Sequence, residues 1–127
     1  VAKLQKGDIY LSKFPFTSHK QFKIRPVVVL AEDKTYKDVV VMAISSVLDR
    51  WDPSSVVYIL SEDIDFKITG LKKDSCILVN RIATIQKDRL FHQLRRLPAN
   101  HIQKIETHFL ENHLIGCNNP QSRSYEA

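Results

Sequence analysis

The feature that most restricts what this chain can become is the run Arg25-Pro26-Val27-Val28-Val29-Leu30. Four consecutive apolar residues, three of them β-branched, read as a strand buried on both faces. Pro26 has no backbone N–H, so it belongs at the strand's first residue or on an edge, and it pushes Arg25 into an extended conformation. The fold must therefore contain a sheet covered on both sides, with a cation fixed at the rim of a core strand. A second run, Val39 to Ile44, is also apolar on both faces and ends in Ser45-Ser46. Successive side chains of a strand face opposite ways, so only one of these serines points at a given groove. Parity alone does not choose between them.

The rest of the chain repeats this theme. Gly7-Asp8 is a turn signal before a first strand over Ile9 to Phe14, with Ile9 and Leu11 on one face and Asp8, Tyr10 and Ser12 on the other. The core strand extends over Arg25 to Ala31, a third strand over Asp38 to Ser46 and a fourth over Ser55 to Leu60. Ser61 to Asp65 forms a helical turn and Gly70 a turn. Two short strands follow, Cys76 to Val79 and Ile82 to Ile85, broken around Asn80-Arg81, and then a strand over Leu90 to Leu97. After this the period changes. Ile102, Ile105, Phe109, Leu110 and Leu114 form one apolar stripe at helical spacing, with Asn100 as N-cap and Gly116 as C′ residue. His101, Lys104, His108 and Glu111 fall on or beside the polar face. The expectation is a mostly β, α+β protein: a small, strongly bent β-sheet or barrel with a C-terminal amphipathic helix packed on one side. One domain over 1–116 precedes a polar tail over 117–127.

Nineteen Lys and Arg against fourteen Asp and Glu leave a net charge of +5, which favours a polyanionic partner such as nucleic acid or an acidic protein segment. The segment Thr17 to Lys23 carries His19, Lys20 and Lys23 between Phe16 and Phe22. Cations interleaved with aromatics can hold a single strand by phosphate attraction and base stacking, although an ordinary polar hairpin loop has the same composition. Trp51, in the loop Val47 to Ser54, is either a contact residue or a ring folded back on the core. No Gly-x-Ser-x-Gly elbow, His-Glu-x-x-His, phosphate-binding glycine loop or Cys-x-x-Cys pair occurs. The expectation is chemistry without metal or cofactor, built from Arg, Lys, His, Ser and Thr. Cys76 and Cys117 have neither metal-ligand spacing nor the number a disulfide framework needs. No apolar run approaches bilayer length and no secretory segment is recognisable, so the expected setting is cytoplasmic, away from membranes.

The motifs Lys6-Gly7-Asp8-Ile9, Phe14-Pro15-Phe16-Thr17, Lys23 to Leu30, Val40 to Ser46, Gly70-Leu71 with Asp74-Ser75-Cys76, and Ile82-Ala83-Thr84-Ile85, in this order and spacing, resemble the PemK/MazF toxin endoribonucleases of toxin–antitoxin systems. The resemblance runs from about Lys6 to Ile115. It implies an SH3-like β-barrel, usually homodimeric, that cleaves single-stranded RNA without a metal. The products are 2′,3′-cyclic phosphate and 5′-hydroxyl ends, and an acidic antitoxin segment neutralises the toxin. The family arginine before the second strand falls on Arg25 and the family Thr or Ser at the end of the third strand on Ser45. The Arg and Asp that some members use in a later strand are here Ala83 and Gln86, so that pair is not carried over. His19, which titrates near neutrality, is our own choice of general base. RNA contacts are expected from Phe16, Lys20, Lys23, Ser46, Arg81 and Thr84. The competing expectation is a non-catalytic barrel of the same fold that binds RNA or a protein target such as gyrase.

Overall fold

The computed structural model describes residues 3–15 and 22–112. Phe16, His19 and Lys20, the expected helix residues Leu114 and Gly116, and the expected boundary and tail over 117–127 lie outside the described residues. Six strands, β1 (Asp8–Pro15), β2 (Phe22–Asp33), β3 (Asp38–Ser45), β4 (Val56–Ile59), β5 (Ser75–Gln86) and β6 (Leu90–Arg96), form one antiparallel sheet in the order β4-β5-β3-β2-β1-β6. A one-turn helix α1 (Phe66–Thr69) precedes β5, and α2 (Ala99–Asn112) closes the described chain. Register shifts in the β1–β6, β2–β3 and β3–β5 ladders bend the sheet. The edge strands β4 and β6 do not pair with each other, so the expected barrel is a bent, open sheet.

The two apolar runs behave as their composition demands. Val27, Val29, Val41 and Ala43 join one buried cluster with Tyr10, Val56, Cys76 and Leu78. Val28, Met42 and Ile44 face the other way and join Ile9, Val57, Ile77 and Ile105. Helix α2 covers this second face, beside β4 and β5. Among the described residues, no helix is laid over the first face. At its end beyond Val27 and Ala43 the apolar rows give way to polar side chains, and the candidate site begins there.

Several expectations are corrected. The two strands expected around Asn80-Arg81 are one strand, because β3 offers β5 a continuous partner and a register shift between the Met42 and Ile44 pairs absorbs the extra residues. Strand β2 begins at Phe22 rather than Arg25, paired to Pro15. The helix starts at Ala99, one residue before its expected cap at Asn100. The Pro98 carbonyl accepts from the N–H groups of His101 and Ile102 at 3.0 and 3.1 Å. His101, expected on or beside the polar face, is buried at 4% exposure, whereas Leu110, expected on the apolar stripe, is 53% exposed. The helix sits on the sheet along the line His101–Ile105–Phe109, rotated from the stripe that hydrophobicity alone selects. Gly70 ends α1 in the left-handed conformation (φ +77°), the usual role of a glycine past a helix end.

Candidate functional site

Pairing across the sheet places the site residues. Ser12 of β1 is the partner of Arg25 in β2. Arg25 lies two residues before Val27 and Ser45 two residues after its partner Ala43, so alternation puts both on the face of that pair. Ser45 pairs with Cys76 of β5, which pairs with Tyr58 of β4. Ser12, Arg25, Ser45, Cys76 and Tyr58, one from each of five strands, therefore share a face at the margin of the first apolar cluster. Lys23, two residues before Arg25, lies on the same face and is exposed.

Arg25 is the centre of this group. Pro26 and the buried Val27–Val29 segment anchor its backbone. Partial burial, and then the charge of Arg50, lower its pKa from the ordinary arginine value. A guanidinium remains charged under such a shift. Arg50, in the loop after β3, is within electrostatic reach of Arg25. Arg50 in turn stands 5.3 Å from the centroid of the Trp51 ring, and Arg81 of β5 stands at the same distance from that ring. Two arginines, one from the β3–β4 loop and one from β5, thus stand against one indole. Trp51 folds back onto the first cluster, half-buried, and its Nε1 is buried with no hydrogen-bond partner among the described residues. The turn after it is stapled by Asp52, which accepts from the backbone N–H and hydroxyl of Ser54 at 3.0 and 2.9 Å. Those bonds hold the Asp52 carboxyl below its ordinary pKa.

The two serines left open by parity now differ. Ser45 is on the Arg25 face, 3% exposed, and its hydroxyl oxygen accepts from the Val47 N–H at 3.1 Å. That bond leaves the hydroxyl proton to donate elsewhere. Ser46 is exposed just past the strand end. Ser12 is completely buried beside Arg25, and its hydroxyl has no partner among the described residues. Burial pushes the Cys76 thiol pKa up, which disfavours the nucleophilic thiolate.

Of the residues expected to contact RNA, Lys23 and Arg81 share the Arg25 face and Ser46 flanks it. Thr84 does not. It pairs with Val40 on the opposite face, while its neighbour Ala83 pairs with Val41 and packs into the first cluster. Arg50 was missed altogether. Its one signal was a position beside Trp51 in a loop that opens where the Ser45 strand ends. Among the described residues, no three His, Cys, Asp or Glu side chains gather as a group that could hold a metal ion, and no helix is long and apolar enough to cross a membrane.

The sequence profile of the family described as PemK-like, MazF-like toxin of type II toxin–antitoxin systems matches residues 5–112. The chain is similar to endoribonuclease EndoA of Bacillus subtilis (strain 168), with 28% identity over 107 residues, covering 81% of this chain and 88% of EndoA. Its fold is that of Mycobacterium tuberculosis toxin MazF-mt6 (TM-score 0.61, 18% identity, 82% of this chain and 93% of that one). It also matches a mycobacterial endoribonuclease solved in complex with its cognate antitoxin (TM-score 0.63, 17% identity, 86% and 93%). At these identities the structural likeness speaks for the fold alone.

Proposed function

Because the chain belongs to the PemK-like, MazF-like toxins of type II toxin–antitoxin systems, we propose that it is an endoribonuclease that cuts single-stranded RNA at short sequences and is held in check by an antitoxin. The observation that carries this reading is that Arg25 and Ser45 share one face of the sheet just beyond the Val27–Ala43 pair, with Lys23 exposed on the same face. A cationic face of this kind attracts a polyanion. EndoA is itself named an endoribonuclease, and a mycobacterial relative was solved with its antitoxin.

The proposed reaction is a transesterification without a metal. The 2′-oxygen attacks the adjacent phosphorus and the bond from phosphorus to the 5′-oxygen breaks. A base takes the 2′-proton, and the leaving 5′-oxygen gains one. The products are a 2′,3′-cyclic phosphate and a 5′-hydroxyl. Arg25 presents a planar fork of donors to the phosphorus oxygens as charge develops on them. Ser45 donates its hydroxyl proton to a phosphate oxygen or to the 2′-oxygen. His19 is the proposed base. Positions 83 and 86 hold Ala and Gln, but Arg81 lies two residues before Ala83 on the same face. It restores a cation close to the place left empty at 83. Lys23 and Arg50 steer the strand, and an acidic antitoxin segment competes for the same cations. The working unit is proposed to be a homodimer in the cytoplasm.

The test is incubation of purified protein with a long RNA in EDTA, followed by mapping of the cut ends. Cyclic phosphate and 5′-hydroxyl ends are expected. Loss of cutting on chelation, restored by a divalent metal, overturns the metal-free reaction. Binding to RNA without any cutting favours the non-catalytic barrel, for which Ala83 and Gln86 are the specific observation.

A further inference from the structure

We propose that Ser12 is a positioning residue of the reaction site: its buried hydroxyl accepts an N–H of the Arg25 guanidinium as that fork closes on the scissile phosphate. The proposal rests on the RNA-cleavage reading above. It adds a residue that lies between two of the family motifs, Lys6 to Ile9 and Phe14 to Thr17.

Ser12 is 0% exposed, and its Oγ has no hydrogen-bond partner among the described residues. A hydroxyl in that state is costly, because it leaves water and gains no bond in return. The two ladders of β1 define what surrounds it. On one side it pairs with Leu90 of β6, which is buried in the first apolar cluster. On the other it pairs with Arg25 of β2. Two residues back along β1, Tyr10 is engaged elsewhere, its hydroxyl donating to Gln93 Oε1 at 3.3 Å. Arg25 is therefore the polar side chain laid directly opposite. The Cβ atoms of such a pair stand about 4.5–5.5 Å apart, so a serine hydroxyl and a long guanidinium side chain on one face can meet without moving the backbone. The β1–β6 ladder is also irregular here. Leu11 pairs with His92 and Ser12 with Leu90, which makes Phe91 the extra residue of a bulge. Bulges re-aim side chains and are frequent beside active sites. Phe91 is 50% exposed and Leu90 2%, so it is the apolar Leu90 that lies against Ser12 on the β6 side.

A guanidinium carries five N–H donors, and a bidentate phosphate takes two of them. Donors remain for the chain while the fork holds substrate. A serine hydroxyl accepts from them without bringing a charge. A carboxylate in the same place would hold the arginine as firmly but would cancel the field that the phosphate needs. What the contact supplies is alignment, and a misplacement of about 1 Å at a reacting group can cost about 100-fold in rate.

The test compares the parent with Ser12→Ala, Ser12→Thr and Ser12→Val by denaturant midpoint and by cleavage kinetics on one labelled RNA. Ser12→Ala removes a costly hydroxyl, so the midpoint should hold or rise, while kcat falls at least about tenfold and KM stays within about threefold. Threonine and valine share a shape and any overpacking but differ in the hydroxyl, so Ser12→Thr should cut at least about tenfold faster than Ser12→Val. In an Arg25→Ala background the further loss from Ser12→Ala should be below about twofold, because the hydroxyl acts through Arg25. One readout needs no cleavage. The Arg25 Nε–H signal of ¹⁵N-labelled protein, assigned by its absence in Arg25→Lys, is followed with a 2′-O-methyl uridine heptamer bound. Its exchange with solvent should be at least about fivefold faster in Ser12→Val than in Ser12→Thr. Parental cleavage in Ser12→Ala overturns the proposal, as do equal rates or equal exchange in the threonine and valine variants. So do losses that add fully to Arg25→Ala. A lowered midpoint with unchanged cleavage per folded molecule also overturns it and leaves Ser12 a core residue only. The parent reading fails separately. The exchange difference in a protein that cuts no RNA sinks the nuclease and keeps the contact, whereas cutting that ignores residue 12 sinks the contact and keeps the nuclease.

Discussion

Asp8 opens β1, Arg25 lies three residues into the neighbouring β2, and both are charged at the margin of the core. Their surroundings are opposite. Asp8 is 3% exposed and fully engaged: one carboxylate oxygen accepts the Gln5 N–H at 2.9 Å and the other faces Arg96 Nε at 3.2 Å. Around it Gly7 donates to the Val29 carbonyl and accepts from the Leu97 N–H, both at 2.8 Å, so the segment ties β1 to β2 and to the start of α2. Arg25 is instead half-buried at the rim of the sheet, where burial, and then the charge of Arg50, lower its pKa. A buried charge matched by an ion pair and a backbone N–H serves the fold. A guanidinium at the rim of a cationic face is placed to meet an anion.

The largest expected effect tests the second half of that contrast. Removing one donor that stabilises developing charge typically costs about 100- to 1,000-fold in rate. Arg25→Ala should lose at least that much cleavage while its stability stays within ~1 kcal/mol of the parent. Arg25→Lys keeps the charge without the fork and should recover only a small part of the rate. Rate and unfolding midpoint measured on the same samples decide the matter. A folded Arg25→Ala that cuts near the parental rate makes Arg25 a bystander, and one that unfolds makes it structural.

Asp8→Ala should do the reverse. It strands the Gln5 N–H and removes the carboxylate from Arg96, whose guanidinium keeps its bond to the Lys6 carbonyl at 3.3 Å and is half exposed to water. The expected destabilisation is therefore ~1–3 kcal/mol, below the cost of breaking a fully buried pair. Cleavage per folded molecule should remain within about threefold. Denaturant unfolding alongside a cleavage assay reads both, and a 100-fold rate loss at unchanged stability would dissolve the distinction between the two motifs.

The same contrast explains what was legible in the sequence. The double-sided strands showed themselves because a run such as Val39 to Ile44 leaves no polar face to expose, and the bend and terminal helix followed from short runs and a change of period. Arg25 was legible because Pro26 fixes its backbone. Which serine shares its face was not, since parity is invisible without a partner strand. Ser45 follows Ala43, the partner of Val27, by two residues, and so lies on the face of Arg25. The unbroken β5 was hidden because a bulge at Asn80-Arg81 looks like a turn when β3 is not in view. Arg50 and the setting of Trp51 were hidden for the same reason: a loop side chain acquires its neighbours only when the sheet assembles. Thr84 lies on the other face from Ala83, because one residue along a strand reverses the face.

Gly7 sharpens the structural side further. Its φ is +96°, a conformation that side-chain-bearing residues rarely adopt, and an added Cβ would lie 2.7 Å from Cδ1 of Ile102 on α2. Ile102 can shift its terminal methyl, so the backbone conformation sets most of the cost. Gly7→Ala should lower stability by ~1–2 kcal/mol with little change in cleavage per folded molecule. A stability within 0.3 kcal/mol of the parent, within the roughly ±0.5 kcal/mol range of neutral surface substitutions, would show that the turn relaxes and that the family's glycine is not needed for geometry.

The smallest expected effect concerns His101, a titratable group on the structural side. Burial, and then the charge of Lys104, lower its pKa, and the Asp63 carboxylate 3.9 Å from Nε2, the Tyr58 backbone and Asp65 oppose them without prevailing. The fold thus favours neutral imidazole, while the unfolded chain protonates near the ordinary value of about 6.5. Above that value the group leaves stability independent of pH. As pH falls through it, the unfolded state binds the proton more readily than the folded state, and stability declines. Parent protein unfolded in denaturant at pH 7.5 and pH 5.0 should therefore lose more stability than His101→Gln does between the same two values, and the difference measures the shift. Asp63 also accepts the Leu60 N–H at 3.1 Å, so it retains a partner in the variant and the comparison isolates the imidazole. Cleavage should be insensitive to this residue: the inflections of the pH–rate profile should coincide in parent and variant once corrected for folded fraction. A profile whose inflection moves in His101→Gln would place a buried helix residue in communication with the Arg25 face, and the separation between charges that hold the fold and charges that meet the substrate would fail at that point.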